Sequence, residues 1–509
     1  MYVLLHQLLG FATQWTCSGT LTSALLVAGF LVCLGFFYKI IVSPYLSPLR
    51  KIPGPYVPSL LLGNIKELYT GNAIDPFVRW INTFGSGLLV YAELFGDRRV
   101  LIADAEATKQ VLITKVKNYK KPKLYRLFDQ VVGNGLLNLN GNEHLVQRKL
   151  CQGAFKLSVI KNVVPSLQNH AEELASLWSG KLLNHNETEL SIGDDLHHLT
   201  LDVVTEFSCG YKCNALINPD QPESQAFEYL LKGFTPSLLR TFLPNVAYFL
   251  SDREYSKNLD MSNKLVKQII QNKRAEISHL KDESKCSDLL SMMLFAECTV
   301  TGMKFSEEQL RDNIMTFMLA GHESTAATLI WTLYCLSEHQ SVQTRVRDEM
   351  MSEIPKEGKA ITFENLDNLT YMSCLIKETL RLYPAASMVF REAVHNDYIN
   401  GYFIPAGTIL NVNIGALHRN PKYWDNADEF NPDRFLDESK LHSCSFLPFL
   451  VGSRTCIGFK FALLEIKITL CTLLRHFKFS PVPGVTYKKC QMITVRPDPP
   501  MRLVAEIIS

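Results

Sequence analysis

The stretch Phe449-Leu450-Val451-Gly452-Ser453-Arg454-Thr455-Cys456-Ile457-Gly458 places one cysteine between two glycines, two residues after an arginine, with an apolar run close behind. The glycines let something flat and bulky approach the backbone. Residues 459–473 read as a helix, so Cys456 lies at its N-terminal end, where the dipole and free N–H groups favour a thiolate. Arg454 is permanently charged and can fork onto a carboxylate. A lone cysteine would read as a buried, inert side chain. This spacing reads instead as a thiolate presented to an iron centre, with a cation beside it.

The stretch matches the pattern Phe-x-x-Gly-x-Arg-x-Cys-x-Gly, and on it the chain resembles the cytochrome P-450 superfamily. Five fixed positions arise by chance in a chain of this size only about 10⁻⁴ times. The resemblance implies haem b (iron protoporphyrin IX), with Cys456 as axial ligand to the iron. It also implies Arg454 on a haem propionate, and Phe449 and Gly458 against the macrocycle.

Ala320-Gly321-His322-Glu323-Ser324 interrupts the longest helical pattern. A glycine inside a helix costs about 1 kcal/mol relative to alanine, and a serine there can bond back to a carbonyl. Read alone, the segment is a small-residue packing notch with an exposed glutamate. It also resembles the family's oxygen-binding motif Ala-Gly-x-(Asp/Glu)-Thr. That likeness implies Glu323 and Ser324 beside the distal face of the haem, passing protons, with Ala320 against the haem. Serine stands where threonine is usual, with Thr325 next, and it lacks the methyl that fixes the rotamer.

Glu378-Thr379-Leu380-Arg381 sets an acid and a base on one helical face, and Pro432-Asp433-Arg434-Phe435 follows. They resemble the family's Glu-x-x-Arg and Pro-x-Arg-Phe elements, which implies a buried structural triad of Glu378, Arg381 and Arg434. Arg148 fits an arginine that contacts a propionate, with His144 where tryptophan is usual. Arg391 matches another propionate-binding position. Residues 125–132, 227–250, 317–320, 385–390 and 486–494 correspond to segments that line substrate pockets.

The 509 residues carry a formal charge of +2, with no basic excess to suggest nucleic acid. Thirteen scattered cysteines, an odd number, suit reduced thiols in a cytosol-facing domain. Residues 21–38 hold no charge, and with Ile40, Ile41 and Val42 they are long enough to span a bilayer. A cleaved signal peptide needs a positive n-region. Here Lys39, Arg50 and Lys51 follow the span, which puts the bulk of the chain in the cytosol. The expected organisation is an anchor at 1–43 (span about 21–42), a proline-rich hinge at 44–57 and a catalytic domain at 58–509.

A hairpin is expected at 88–103, turning at Gly96-Asp97. Helices are expected at 167–182, 195–207, 258–279, 307–337, 342–354, 371–382 and 459–475. Strands are expected at 389–393, 398–404, 409–413 and 494–508. Long helices with few strands indicate a mainly α (α+β) fold. The resemblance implies a large triangular helical body with a small β-rich lobe, preceded by one transmembrane helix.

By that resemblance the chain is a single-pass, endoplasmic-reticulum haem-thiolate monooxygenase. It would take electrons from an NADPH-dependent flavoprotein reductase and act on a lipophilic small molecule by hydroxylation or epoxidation. Lys149 and Lys460 could add positive charge where the reductase docks. Two other readings stay open: a haem-thiolate isomerase or dehydratase acting on peroxides, and a non-catalytic membrane haem sensor.

Overall fold

Residues 307–338 form one helix, begun by a capping box. The Ser306 hydroxyl accepts from the Gln309 N–H at 3.1 Å, and the Gln309 side chain accepts from the Ser306 N–H at 3.0 Å. In the computed structural model the described residues are 20–69, 72, 74–184, 189–232, 253–278, 286, 288–297, 302–354, 361–491 and 493–508. Residues 233–250 of one expected pocket segment and residue 492 of another lie outside them.

The helices that build the site are α1 (Thr20–Phe37), α2 (Gly141–Cys151), α3 (Val164–Asn184), α4 (Ile192–Cys209), α5 (Pro222–Lys232), α6 (Arg253–Ile277), α7 (Glu307–Glu338), α8 (Gln340–Glu353), α9 (Thr370–Leu382) and α10 (Phe459–His476). Seven of them stand where periodicity expected helices. Helix α2 had been read only as a motif, because its mixed polar sequence gives little amphipathic signal.

The strands are β1 (Leu88–Ala92), β2 (Arg98–Ile102), β3 (Tyr119–Lys120), β4 (Glu189–Ser191), β5 (Met388–Ala393), β6 (Asp397–Ile399), β7 (Tyr402–Ile404), β8 (Ile409–Asn413), β9 (Phe477–Pro481), β10 (Lys488–Gln491), β11 (Val495–Asp498) and β12 (Arg502–Ile507). The largest sheet runs β1-β2-β8-β5-β3. Its β1–β2 hairpin is the one expected, in antiparallel register from Leu88↔Ile102 to Ala92↔Arg98. The run at 398–404 is a small hairpin, β6–β7, broken at Asn400-Gly401, where both residues take positive φ. The run at 494–508 divides into β11 and β12, because the prolines at 499 and 500 fall between them and interrupt the ladder.

One N-terminal helical stretch, Leu26–Leu46, is long and apolar enough to cross a membrane, and it is unburied. The helical conformation continues past Pro44, contrary to the expectation that prolines stop it there. Pro44 sits in the first turn of the short helix Ser43–Leu46, where a missing N–H costs little.

Helix α4 packs closely on α7. A Cβ on Gly321 would lie 2.6 Å from Val204 Cγ2, so this glycine is the notch that lets the two helices approach. Behind the Cys456 loop, the Glu378 carboxylate accepts from Arg381 Nε at 2.7 Å and Nη2 at 2.9 Å, and from Arg434 Nε at 3.1 Å. Arg381 also donates to the carbonyls of His418, Ala427 and Glu429. Glu378 and Arg381 are fully buried. Next to them, His418 Nε2 accepts from the Leu447 N–H at 2.8 Å, which fixes the start of the Cys456 loop.

Removing one member of this triad strands buried charge, typically at a cost of 3–5 kcal/mol. Glu378→Gln should therefore lower the denaturant midpoint by about that much in free energy. Lys440→Ala, in the exposed pair with Asp437, should leave the midpoint unchanged. Burial and the neighbouring Arg381 and Arg419 pull His418 from 6.5 down to about 3. The unfolded chain therefore binds the extra proton. His418's contribution should be complete above pH 6.5 and decline as pH falls toward 3. His418→Gln should flatten the midpoint–pH slope in that window.

Candidate active site

The Cys456 loop folds back on itself. The Cys456 N–H donates to the Phe449 carbonyl at 2.8 Å and Thr455 N–H to Gly452 at 3.1 Å. Gly452 has φ of +73°, and a Cβ there would lie 2.8 Å from the Leu112 carbonyl, so only glycine fits. Gly458 caps α10. A Cβ on Gly458 would sit 3.5 Å from the Phe155 ring. Phe155 in turn packs on Phe317 of α7, at 5.6 Å between ring centroids. This aromatic bridge joins the loop to the central helix.

Two residues stand open to a ligand, one on the loop and one on α7. Cys456 is solvent-accessible, although the surrounding protein pushes its thiol up by burial. Ala320 is exposed in a stretch of α7 whose residues 312–319 are all buried. The backbone N–H of Gly458 and the charge of Arg148 act the other way on Cys456, favouring the thiolate. They do not outweigh burial, so ionisation of this sulfur belongs with a cation bound beside it.

Helix α2 is fixed over α7 by a polar seam. Asn313 Nδ2 donates to Gln147 Oε1 at 2.7 Å, and Asn313 Oδ1 accepts from the Leu136 N–H at 3.0 Å. Asp312 accepts from the Asn134 N–H at 2.8 Å. The seam carries His144 and Arg148 to the same place as Arg454 of the loop and Arg391 of β5. Lys121, which sequence reasoning missed, completes the group.

These five groups act on one another electrostatically. Burial, then Arg454, Lys121, Arg148 and Arg391, pull His144 down to about 3, so it is neutral at physiological pH. Burial, then Arg391 and Arg148, lower Arg454 to about 10. Burial, with Arg454 and Arg391, holds Lys121 well below its usual value. Their hydrogen bonds go to carbonyls: Arg454 to Leu139 at 2.9 Å, Arg391 to Phe390 at 2.8 Å, and Lys121 to Leu137. Among the described residues none of Lys121, Arg148, Arg391 and Arg454 pairs with a carboxylate. Unneutralised charge in a buried site costs several kcal/mol per ion. A planar ligand bearing two carboxylates, beside a sulfur that faces the same space, is what the residues fit. Haem b matches in its propionates, in its iron and in its need for room at glycines.

The acid of the central motif is differently placed from the exposed glutamate of the packing-notch reading. Glu323 is 2% exposed and bound by Arg496 of β11, with Nε at 2.6 Å from Oε1 and a second bond from Nη2 to Oε2. The Thr494 hydroxyl donates to it at 2.5 Å. Burial opposes its charge, but Arg496, His197 and His322 outweigh burial and hold the carboxyl near 2. Ser324 is half-buried, and its hydroxyl donates to the Ala320 carbonyl at 2.7 Å. Thr325 is buried. Sequence reasoning missed Arg496 and His197 as partners of the acid.

Two of the expected pocket segments meet directly, and a third is held by the residue that follows it. Phe390 N–H donates to the Tyr125 hydroxyl at 3.4 Å, and Val495 N–H to the Ala385 carbonyl at 3.2 Å.

Comparison with known proteins agrees with this geometry. The Cytochrome P450 family model matches residues 52–504, and the chain belongs to that family. It is 33% identical to the taurochenodeoxycholic 6 alpha-hydroxylase of Sus scrofa over 76% of this chain and 77% of the relative. It is 30% identical to cytochrome P450 4A11 of Homo sapiens over 86% of this chain and 85% of the relative. The crystal structure of the cytochrome P450DA heme domain superposes with a TM-score of 0.79 and 25% identity, covering 90% of this chain and 98% of that one. The protein is therefore a haem-thiolate monooxygenase, with the mainly α fold expected.

Cys456→Ala should remove the thiolate signature from the carbon monoxide difference spectrum of the reduced protein. Lys121→Ala should speed haem loss to an acceptor by about tenfold or more, since a bond to a charged group is worth about 1.5–3 kcal/mol. The haem-to-protein ratio after transfer reads this directly.

Proposed function

We propose that this enzyme is anchored in the endoplasmic reticulum membrane and oxygenates lipophilic small molecules, with electrons from an NADPH-dependent flavoprotein reductase. The observation that carries the reading is the unneutralised cluster of Lys121, Arg148, Arg391 and Arg454 beside the inward-facing sulfur of Cys456. It supports a bound haem, and no flavin or nicotinamide fingerprint occurs in the sequence to supply electrons from within the chain. The haem supplies oxygen activation, and its thiolate ligand favours O–O cleavage. One oxygen atom enters a C–H or C=C bond and the other leaves as water, so electrons and protons must both be delivered.

The chain's own residues divide this labour. Cys456 would hold the iron of a bound haem, and Arg148, Arg391, Arg454, Lys121 and neutral His144 would hold its propionates. Glu323 and Ser324 move protons, with Thr325 next in line on α7. Glu323 starts ionised in its bond to Arg496, so it accepts a proton before it can give one. Ser324 is aligned by the Ala320 carbonyl and keeps a lone pair toward the interior space. The apolar positions around Phe317 and Phe390 exclude water and orient an apolar substrate. The unburied helix at Leu26–Leu46 supports a membrane address, with substrate drawn from the lipid phase. Lys149 and Lys460, both exposed near the Cys456 loop, supply positive charge for reductase docking.

The pig relative's name specifies a bile-acid hydroxylase, which favours hydroxylation of an amphipathic, largely apolar skeleton here. The Glu323-Ser324 pair disfavours a peroxide isomerase, which has no need of delivered protons.

The test is turnover of a lipid extract by the membrane-bound enzyme with NADPH and reductase. Products heavier by one oxygen atom, labelled from ¹⁸O₂, are expected. Product from a hydroperoxide alone, with none from dioxygen, would overturn the reading.

A further inference from the structure

The far side of α7 holds a second polar cluster. His322 is 1% exposed, and neither ring nitrogen has a hydrogen-bond partner among the described residues. His197 of α4 faces it, with ring centroids 5.1 Å apart, and its Nδ1 is likewise unpartnered. His197 Nδ1 lies 3.9 Å from Glu323 Oε2. One ligand atom each from His197, His322 and Glu323 lies within 4.8 Å of the others. Leaving a buried polar atom unsatisfied costs about 1–3 kcal/mol, so three in one place require an occupant.

Charge identifies it. The three ligand atoms lie no more than 4.8 Å apart, so a point between them is at most about 2.8 Å from each, within reach of a hydrogen-bonded water. The charges facing the cluster already cancel. Glu323 of α7 is paired with Arg496 of β11, and Glu228 of α5 with His198 of α4. A divalent cation would add two uncompensated buried charges beside Arg496. Water adds none.

We propose that His197, His322 and Glu323 enclose one water molecule and form the entry step that carries protons from solvent to Glu323. Helical geometry supplies the direction. At 100° per residue Ser324 stands about 40° from Ala320, Glu323 about 60° to the other side, and His322 about 160° away. Glu323 thus lies between the cluster and the face that meets the interior space. Toward solvent, the His198–Glu228 pair stands partly exposed next to His197. A proton from that pair adds to one nitrogen of His197 while the proton on its other nitrogen passes, through the water, to Glu323. Each transfer makes one N–H or O–H bond and breaks one. Burial lowers His197 to about 4 and His322 to about 3, despite the opposing charge of Glu323 on both. Both rings are then neutral at physiological pH, each with one donor and one acceptor nitrogen, the state a relay requires. This inference rests on Glu323 acting as a proton carrier.

The test uses the haem-loaded, membrane-reconstituted enzyme and the variants His197→Gln, His322→Gln, the double variant, and Glu323→Gln. Glutamine keeps hydrogen bonding and volume but cannot exchange protons. Deuterium exchange at the histidine ring carbons, followed by mass spectrometry, needs no turnover. His197 should exchange with a midpoint below pH 6, and His322 more slowly. In turnover, the double variant should slow product formation roughly tenfold and raise the solvent deuterium isotope effect, with substrate affinity unchanged. His322→Leu, which cannot hold water, should act in the same direction. Wild-type rates and isotope effects in the double variant alongside a slow Glu323→Gln would overturn the relay alone. Wild-type behaviour in both would overturn it through its foundation. One equivalent of zinc retained by the wild type and lost in the double variant would show a metal site instead.

Discussion

Four basic side chains without a carboxylate partner among the described residues are the constraint on which the rest of this molecule depends. Lys121, Arg148, Arg391 and Arg454 come from four segments widely separated in the sequence, and each loses hydration as the chain closes around them. The folded chain by itself holds that cost unrelieved. A ligand bearing two carboxylates relieves it, and by mass action such a ligand stabilises only the folded form. A bound haem would thus stabilise the closed site, and Cys456 would hold its iron as the thiolate. Neutral His144 fits the same logic, because a further positive charge there would add to the repulsion.

The contrast with Glu378 is instructive. Arg381 is fully buried and Arg434 partly so, yet both bond the Glu378 carboxylate and their remaining protons go to carbonyls. Where the fold needs rigidity, a buried carboxylate anchors the guanidinium groups. Where it needs a ligand, charge is left open. His418 connects the two regimes: its carbonyl accepts from Arg381, and its ring holds Leu447 at the start of the Cys456 loop. The network therefore acts on the iron ligand by fixing the strand of chain that enters the loop.

Motif residues were legible because their chemistry is written in short spacings. Cys456 with Arg454, and Glu378 with Arg381, lie within one turn of each other, and periodicity located the long helices around them. What could not be read were partners brought by topology. Arg496 lies 173 positions from Glu323, and nothing local distinguishes it from any other strand arginine. Lys121 sits in a run of lysines that reads as a solvated patch. The small strands escaped because prolines and glycines cut them into pieces too short for a period of two. Gly321 was the mixed case. A packing notch was one reading of it, without Val204 as the partner, and the nearby glutamate is buried rather than exposed, because Arg496 neutralises it.

That pairing bears on the departure at Ser324. A threonine methyl would lock the hydroxyl rotamer by itself. Here the Ala320 carbonyl holds the serine hydroxyl instead. Such a bond competes with the helix's own ladder and loosens it locally. Gly321, one residue on from Ala320, adds the same tendency, offset by its close contact with α4. The distal turn of α7 is thus firm on its α4 side and soft on the side that faces the interior space. In the proposed role of proton carrier that asymmetry would be useful: Glu323 stays anchored by Arg496 while the backbone next to Ser324 keeps room to adjust.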